Sequence, residues 1–453
     1  MEILLLIVLI LTEIGFGLFE LTRKDVKSEW TKRRLLVCGI EIITYLVMIL
    51  LPKIDFGFRF KCLFIVLVIR ILISALCCLI NIKNEKIKKR SAIVCGMLSG
   101  ILAIAFSLMP AFVFNDYNGR PLTGEHEVAQ SSAILIDSSR VEEYESDGSY
   151  REVPIYLYYP ADTDKITKHS LPLVIFSHGA FGYYQSNTST YMQLASHGYV
   201  VISLDHPYHS FFTKDSSGKT ITVDPQFIQN ALYIGNSDLP DEEIYPETNK
   251  WMKLRVDDVN FVLDTIETAV GTSTDSSWFY NENNSDEIKN VLNMIDIEKI
   301  GLMGHSLGGA TAVTVGRRDD VDAVIDLDGT MLGEEIDLID GKVIYNEEVY
   351  QTPILNVQNE EHHIESIEAQ KIGYTYVNNV IMDKAEHGYT TYFEGSKHMN
   401  FTDLPLFSPM LAKNLGMGSI DPEVCIDQVN EIVVEFFDCF LKETGEFKIS
   451  EKY

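Results

Sequence analysis

Four long apolar runs, residues 3–21, 35–51, 62–82 and 92–114, fill the first quarter of the 453-residue chain and have no counterpart in the rest. Each is close to the ~20 residues that a helix needs to cross a bilayer. Such runs divide the chain, because a water-soluble core cannot absorb them all. Charge divides it at the same place. Residues 1–115 hold 15 Lys and Arg against 8 Asp and Glu, whereas the remainder holds 22 against 57. The pattern predicts a transmembrane region of about four helices over 1–115 and a separate acidic domain over 116–453. A net charge of −28 opposes nucleic-acid binding, which needs a basic face for phosphates.

The loops between the runs predict orientation. Arg23, Lys24, Lys27, Lys32, Arg33 and Arg34 form one basic cluster, and Lys83, Lys86, Lys88, Lys89 and Arg90 form another. The loop between the second and third runs holds only Lys53, Arg59 and Lys61. By the positive-inside rule the two rich loops face the cytoplasm. After an even number of spans the acidic domain is then extracytoplasmic, on a multi-pass protein of the cell membrane. Met1-Glu2 offers no basic n-region and no small-residue cleavage site follows, so the first run reads as a retained helix. Glu13 and Glu41 interrupt the first two runs. They read as protonated groups near the helix ends or as hydrogen-bonded groups between helices, since no further polar residues line up into a pathway. Cys425 and Cys439 are the only cysteines of the acidic domain; one turn-regular helix would hold them ~21 Å apart, too far to bond.

From about residue 151 short apolar runs alternate with amphipathic stretches. Residues 153–159, 173–176, 200–204, 300–303, 323–327 and 353–357 read as strands. Residues 191–196, 254–266 and 422–441 read as helices. Continuous apolar strands separated by helices predict an α/β fold with a mostly parallel sheet covered on both faces. The stretch 207–250, rich in Tyr, Pro and acids, reads as an insertion or cap.

Gly304-His305-Ser306-Leu307-Gly308 fits G-x-S-x-G between the strand at 300–303 and a helix beginning near Gly309. A sharp strand-to-helix turn lifts a serine Oγ into the open, and the helix N-terminus offers N–H groups to developing negative charge. The serine needs a base, and the base an orienting acid, supplied in this fold class in chain order Ser, Asp or Glu, His. Asp328 ends the strand at 323–327 and is favoured over Asp326, which lies within it, because catalytic groups collect at the carboxyl ends of strands. His178, His197, His206 and His209 precede the serine, and His305 lies inside the turn. His362 and His363 fall in an acidic stretch that reads as a solvated loop, and His387 precedes the strand-like run 389–393. His398 follows that run and Gly395-Ser396, which makes it the expected base. Leu307 N–H and an N–H of the loop after 173–176 are the expected oxyanion donors, with Ala180 preferred and Phe181 the alternative. No H-E-x-x-H, paired C-x-x-C or EF-hand pattern occurs, and Glu360-Glu361-His362-His363 reads as charged surface, so no metal or other cofactor is expected.

Three further segments join this motif. Phe176-Ser177-His178-Gly179, Leu194-Ala195-Ser196-His197-Gly198-Tyr199 and the elbow extended to Thr311 resemble the platelet-activating-factor acetylhydrolases of the α/β-hydrolase fold. Leu327-Asp328-Gly329 and Gly395-Ser396-Lys397-His398-Met399-Asn400-Phe401 are similar to that family's acid and histidine segments. The resemblance spans about residues 150–445; the N-terminal quarter and 207–250 depart from it. It implies Ser306, Asp328 and His398 as the triad, Ala180 and Leu307 as oxyanion donors, and calcium-independent cleavage of short or oxidised sn-2 acyl chains from phospholipids. The expectation is therefore a membrane-anchored serine ester hydrolase acting on a small-molecule or lipid ester. A general carboxylesterase or a cell-envelope acyl-ester hydrolase is the alternative within enzymes. A catalytically silent membrane sensor or scaffold is the alternative outside them.

Overall fold

In a computed structural model the apolar runs are helices: α1 (Glu2–Leu21), α2 (Lys27–Leu50), α3 (Phe58–Ile80) and α4 (Arg90–Ser107), followed by the single turn α5 (Met109–Val113). The structure describes residues 2–51, 54, 56–162, 165–235, 237, 239–272, 279–280, 285–373 and 375–453; Lys53 of the weakly basic loop lies outside them. The chain separates into two units, Met1–Tyr117 with Phe407–Leu411, and Asn118–Leu406 with Ala412–Tyr453.

In the first unit the expectation of four spans needs correction. Among the described residues three helices, α1, α3 and α4, are long and apolar enough to cross a membrane. The second helix is long enough, but it begins at Lys27 rather than in the apolar run, and Lys32, Arg33, Arg34 and Glu41 leave it no unbroken apolar length of ~20 residues. Glu13 and Glu41 are fully buried and bonded between helices. Arg34 Nη1 donates to Glu13 Oε2 at 2.6 Å, while Arg70 of α3 donates to Glu13 and to Glu41 Oε2, the latter at 3.0 Å. A buried carboxylate left alone would be costly, so each acid is paired with a cation.

The second unit is built on a nine-stranded sheet. Its strands are β1 (Val128–Val141), β2 (Tyr150–Pro160), β3 (Leu171–Ser177), β4 (Val200–Leu204), β7 (Phe279–Tyr280), β8 (Ile295–His305), β9 (Ala323–Leu327), β12 (Ile354–Asn359) and β13 (Gly388–Phe393). Two small ribbons, β5 (Phe212–Lys214) with β6 (Thr220–Thr222) and β10 (Glu335–Ile339) with β11 (Lys342–Tyr345), lie outside it. The order is β13-β12-β9-β8-β3-β4-β2-β1-β7; the six strands from β13 to β4 run parallel, and β2, β1 and β7 add antiparallel neighbours. The helices of this unit are α6 (Thr188–Ser196), α7 (Pro225–Gly235), α8 (Asp241–Thr272), α9 (Ser285–Leu292), α10 (Leu307–Val315), α11 (Glu360–Ile372), α12 (Val377–Lys384) and α15 (Pro422–Phe440). The short α13 (Leu404–Phe407) and α14 (Pro409–Asn414) overlap the segment Phe407–Leu411 that belongs to the first unit.

Period-two alternation explains why β3 is apolar throughout. Leu173 and Ile175 enter one core with Val259 and Leu263 of α8 and Val313 of α10. Val174 and Phe176 enter the other with Tyr191 of α6 and Val429 and Phe437 of α15. Every parallel strand thus ends in the same direction, and the ends of β3, β8, β9 and β12 meet at one edge. The segment 207–250 supplies the β5–β6 ribbon, α7 and the first turns of α8, with residues 236 and 238 outside the described set.

Candidate active site

Ser306 sits between β8 and α10 with φ +57° and ψ −128°, a backbone conformation that residues other than glycine seldom adopt. Holding such a residue costs about 1–3 kcal/mol and needs support on every side. Its N–H donates to the Leu327 carbonyl at 2.9 Å, fastening it to the end of β9. Gly308 lets the new helix press against β3: a Cβ there would lie 2.0 Å from the Ser177 carbonyl oxygen. One on Gly179 would lie 3.0 Å from Ser306 Cβ, so the loop after β3 abuts the serine.

Asp328 follows β9 with φ +58° and is buried. Its Oδ2 accepts from His398 Nδ1 at 2.6 Å. Burial opposes its charge, but hydrogen bonds from His362 and His398 outweigh burial and hold the carboxyl well below the usual carboxylate range. Asp326 is placed elsewhere: its Oδ1 accepts from Gly329 N–H at 2.9 Å, and burial, with the Asp328 charge, pushes it far above that range. Of the two aspartates, only Asp328 bonds a histidine among the described residues. His305 donates from Nε2 to the His398 carbonyl at 3.0 Å, setting His398 beside the elbow; burial pushes His305 down to about 3, so it is neutral. Among the described residues nothing hydrogen-bonds Ser306 Oγ or His398 Nε2, so both are free to meet a substrate. Such contacts commonly tighten only when substrate is bound.

Among the described residues no protein group takes the N–H of Leu307 or of Ala180. Phe181 N–H, by contrast, donates to the His209 carbonyl at 3.2 Å, which separates the two candidate donors of that loop. Ala180 and Leu307 also border an apolar cluster with Phe227 of α7 and Trp251 and Met252 of α8.

Sequence reasoning missed the support behind this loop. Arg255 of α8, fully buried, donates to the His178 carbonyl at 2.5 Å and the Gly179 carbonyl at 3.2 Å. Burial lowers its guanidinium to about 9, and Asp258 one turn on offsets part of that cost. Asp258 also receives Arg151, at 3.1 and 2.7 Å, and His206 Nδ1 at 2.9 Å; His206 Nε2 meets Ser177 Oγ at 2.9 Å. On an amphipathic helix Arg255 and Asp258 look like a solvated face, so local sequence carries no signal for them. His362 was also misplaced: it lies in the first turn of α11, not in a loop, and its Nδ1 is 2.9 Å from Asp328 Oδ1. Among the described residues no group of three or more His, Cys, Asp and Glu is arranged to hold a metal ion.

A family model described as platelet-activating factor acetylhydrolase, isoform II, matches residues 123–451. Platelet-activating factor acetylhydrolases of Canis lupus familiaris and Bos taurus are 27% identical over 305 residues and 25% over 304. Each alignment covers 62% of this chain and 60% of the relative, so the chain matches about three fifths of their length. A solved ferulic acid esterase from Streptomyces cinnamoneus aligns at 19% identity and a TM-score of 0.49, covering 72% of this chain and 93% of that one. This last likeness is too loose to carry an argument.

Proposed function

Because the chain belongs to the platelet-activating factor acetylhydrolase, isoform II, family, we propose that it is a serine ester hydrolase working through an acyl-enzyme. One observation carries the reading: Asp328 holds His398 at 2.6 Å beside a serine at φ +57°, where two N–H groups stand uncommitted. His398 Nε2 takes the Ser306 proton as Oγ attacks the ester carbonyl. Asp328 fixes the imidazole tautomer and stabilises the imidazolium, while Leu307 and Ala180 N–H receive the oxyanion. The proton passes to the departing alcohol, and water then releases the acid by the same route.

The substrate is a short acyl ester of a phospholipid, supported by the family and by the apolar wall of Phe227, Trp251 and Met252 beside the oxyanion donors. An excess of acids over the hydrolase unit favours neutral or zwitterionic headgroups over anionic ones. The N-terminal helices anchor the protein, and residues 116–453 form the catalytic domain, with 207–250 as its cap. Val26 and Ile87 form a bridge and Lys27 N–H donates to the Lys86 carbonyl at 2.9 Å, so both basic loops share one end of the unit. By the positive-inside rule that end is the cytoplasmic one, with the hydrolase extracytoplasmic.

The test is turnover by the full chain in nanodiscs of p-nitrophenyl acetate, butyrate and palmitate and of a short-sn-2 phosphatidylcholine, with Ser306→Ala alongside. Short-chain and phospholipid turnover falling at least ~10³-fold in Ser306→Ala is the expected result. Cleavage of simple esters alone reduces the reading to a general carboxylesterase. No Ser306-dependent turnover overturns it.

A further inference from the structure

Asp328 serves two histidines, although a triad uses one. Its Oδ2 accepts from His398 Nδ1 at 2.6 Å and Asn359 Nδ2 at 2.7 Å. Its Oδ1 accepts from His362 Nδ1 at 2.9 Å and Asn359 N–H at 2.8 Å. His362 is held there: its own N–H donates to Asn359 Oδ1 at 2.9 Å, so the residue that caps α11 also braces the acid. The two rings lie 6.1 Å apart on opposite oxygens of one carboxylate, and both reach solvent.

We propose that His362 is a positioning residue that throttles the site by protonation. Neutral, its Nδ1–H helps fix Asp328 for His398. Protonated, its imidazolium engages the carboxylate charge that otherwise stabilises the His398 imidazolium formed as Ser306 attacks. The inference rests on the ester-hydrolase reading and adds a regulator to it. The charged and titratable groups facing His362 are Asp328 after β9, Glu361 and Glu365 on its own helix, His398 with His305 beyond it, and Lys397, which pairs with Glu361 at 2.5 Å. Burial disfavours the cation, but the hydrogen bond to Asp328 and the nearby acids outweigh it and raise His362 above the usual histidine value. The sign follows: as pH rises through that raised value the ring loses its proton, Asp328 returns its charge to His398, and the rate climbs.

The pH dependence of kcat/KM for p-nitrophenyl acetate, measured on the full chain in nanodiscs, tests this in the parent, His362→Asn and His362→Phe. Asparagine keeps an N–H donor where Nδ1 stood and takes up no proton. In the parent, activity falls on the acid side with two protons; in His362→Asn it falls with one, the limb lies at lower pH, and the gain at pH 6 is about tenfold. His362→Phe, lacking the donor, loses rate at all pH values. An acid limb of unchanged slope and midpoint in His362→Asn overturns the proposal. A second readout needs no turnover: ¹³Cε1-histidine NMR titration of Ser306→Ala, with and without His362→Asn. Coupled protonation of two rings in the former and a single step in the latter supports the shared carboxylate; independent titration overturns it. Absent Ser306-dependent hydrolysis combined with coupled titration counts against the ester-hydrolase reading and not against the shared acid.

Discussion

Ser306 and Asp328 both sit at positive φ, and neither strain is local in origin. Each backbone is fixed by partners from other strands: Leu327 for the serine, and Val357, whose carbonyl accepts the Asp328 N–H at 2.7 Å, for the acid. The most remote support is Arg255, which bonds the two carbonyls just before Ala180 and so fixes which way the Ala180 N–H points. An oxyanion donor displaced by a fraction of an ångström loses most of its value. Arg255→Met is therefore expected to lower kcat about 10- to 100-fold with KM within about threefold, read from steady-state ester hydrolysis. Arg255→Lys, a point donor in place of a planar fork, recovers only part of the loss. Equal kcat in parent and Arg255→Met would remove Arg255 from the positioning of the loop.

At the scale of elements, strands with both faces covered were legible because burial leaves an unbroken apolar run. β3, β4 and β9 are such strands. β1 was not: its buried face carries Ser131 and Asp137 beside Ala133 and Leu135, its exposed face carries Ile136 beside Gln130 and Ser132, and only pairing with β2 reveals it as a 14-residue strand. Nor was α11, whose run Glu360-Glu361-His362-His363 has loop-like composition and becomes a helix through the Asn359 cap and packing on β12. The elbow depends on how closely α10 approaches β3. Gly308→Ala, placing a Cβ 2.0 Å from the Ser177 oxygen and 2.5 Å from its carbonyl carbon, is expected to cost about 3 kcal/mol, measured as a lower Tm and reduced yield of folded protein. A variant as stable as the parent would show that the elbow relaxes around the added methyl.

Over the whole molecule, the helical unit is basic and the hydrolase unit acidic. Leu11, Leu72, Leu79, Leu102 and Phe106 of the first unit are largely exposed, as lipid-facing side chains would be. The full chain is expected to stay with the membrane pellet after extraction at pH 11. Ser217→Cys, exposed on the β5–β6 turn, is expected to react in intact cells with a membrane-impermeant maleimide; labelling only after lysis would place the hydrolase in the cytoplasm. The sequence by itself determined the division near residue 115, the covered parallel strands and the motif around Ser306, because each is written in residues adjacent along the chain. Three, rather than four, sufficiently apolar helices followed from where α2 begins, which composition of the run alone left open. Tertiary structure decided that Asp328 and not Asp326 reaches His398, that Phe181 N–H is spent on His209, that Arg255 bonds the carbonyls before Ala180, and that His362 shares the Asp328 carboxylate. These are contacts between groups 28 to 77 residues apart, fixed by burial and hydrogen-bond satisfaction, and a one-dimensional pattern does not encode which buried polar group finds which partner.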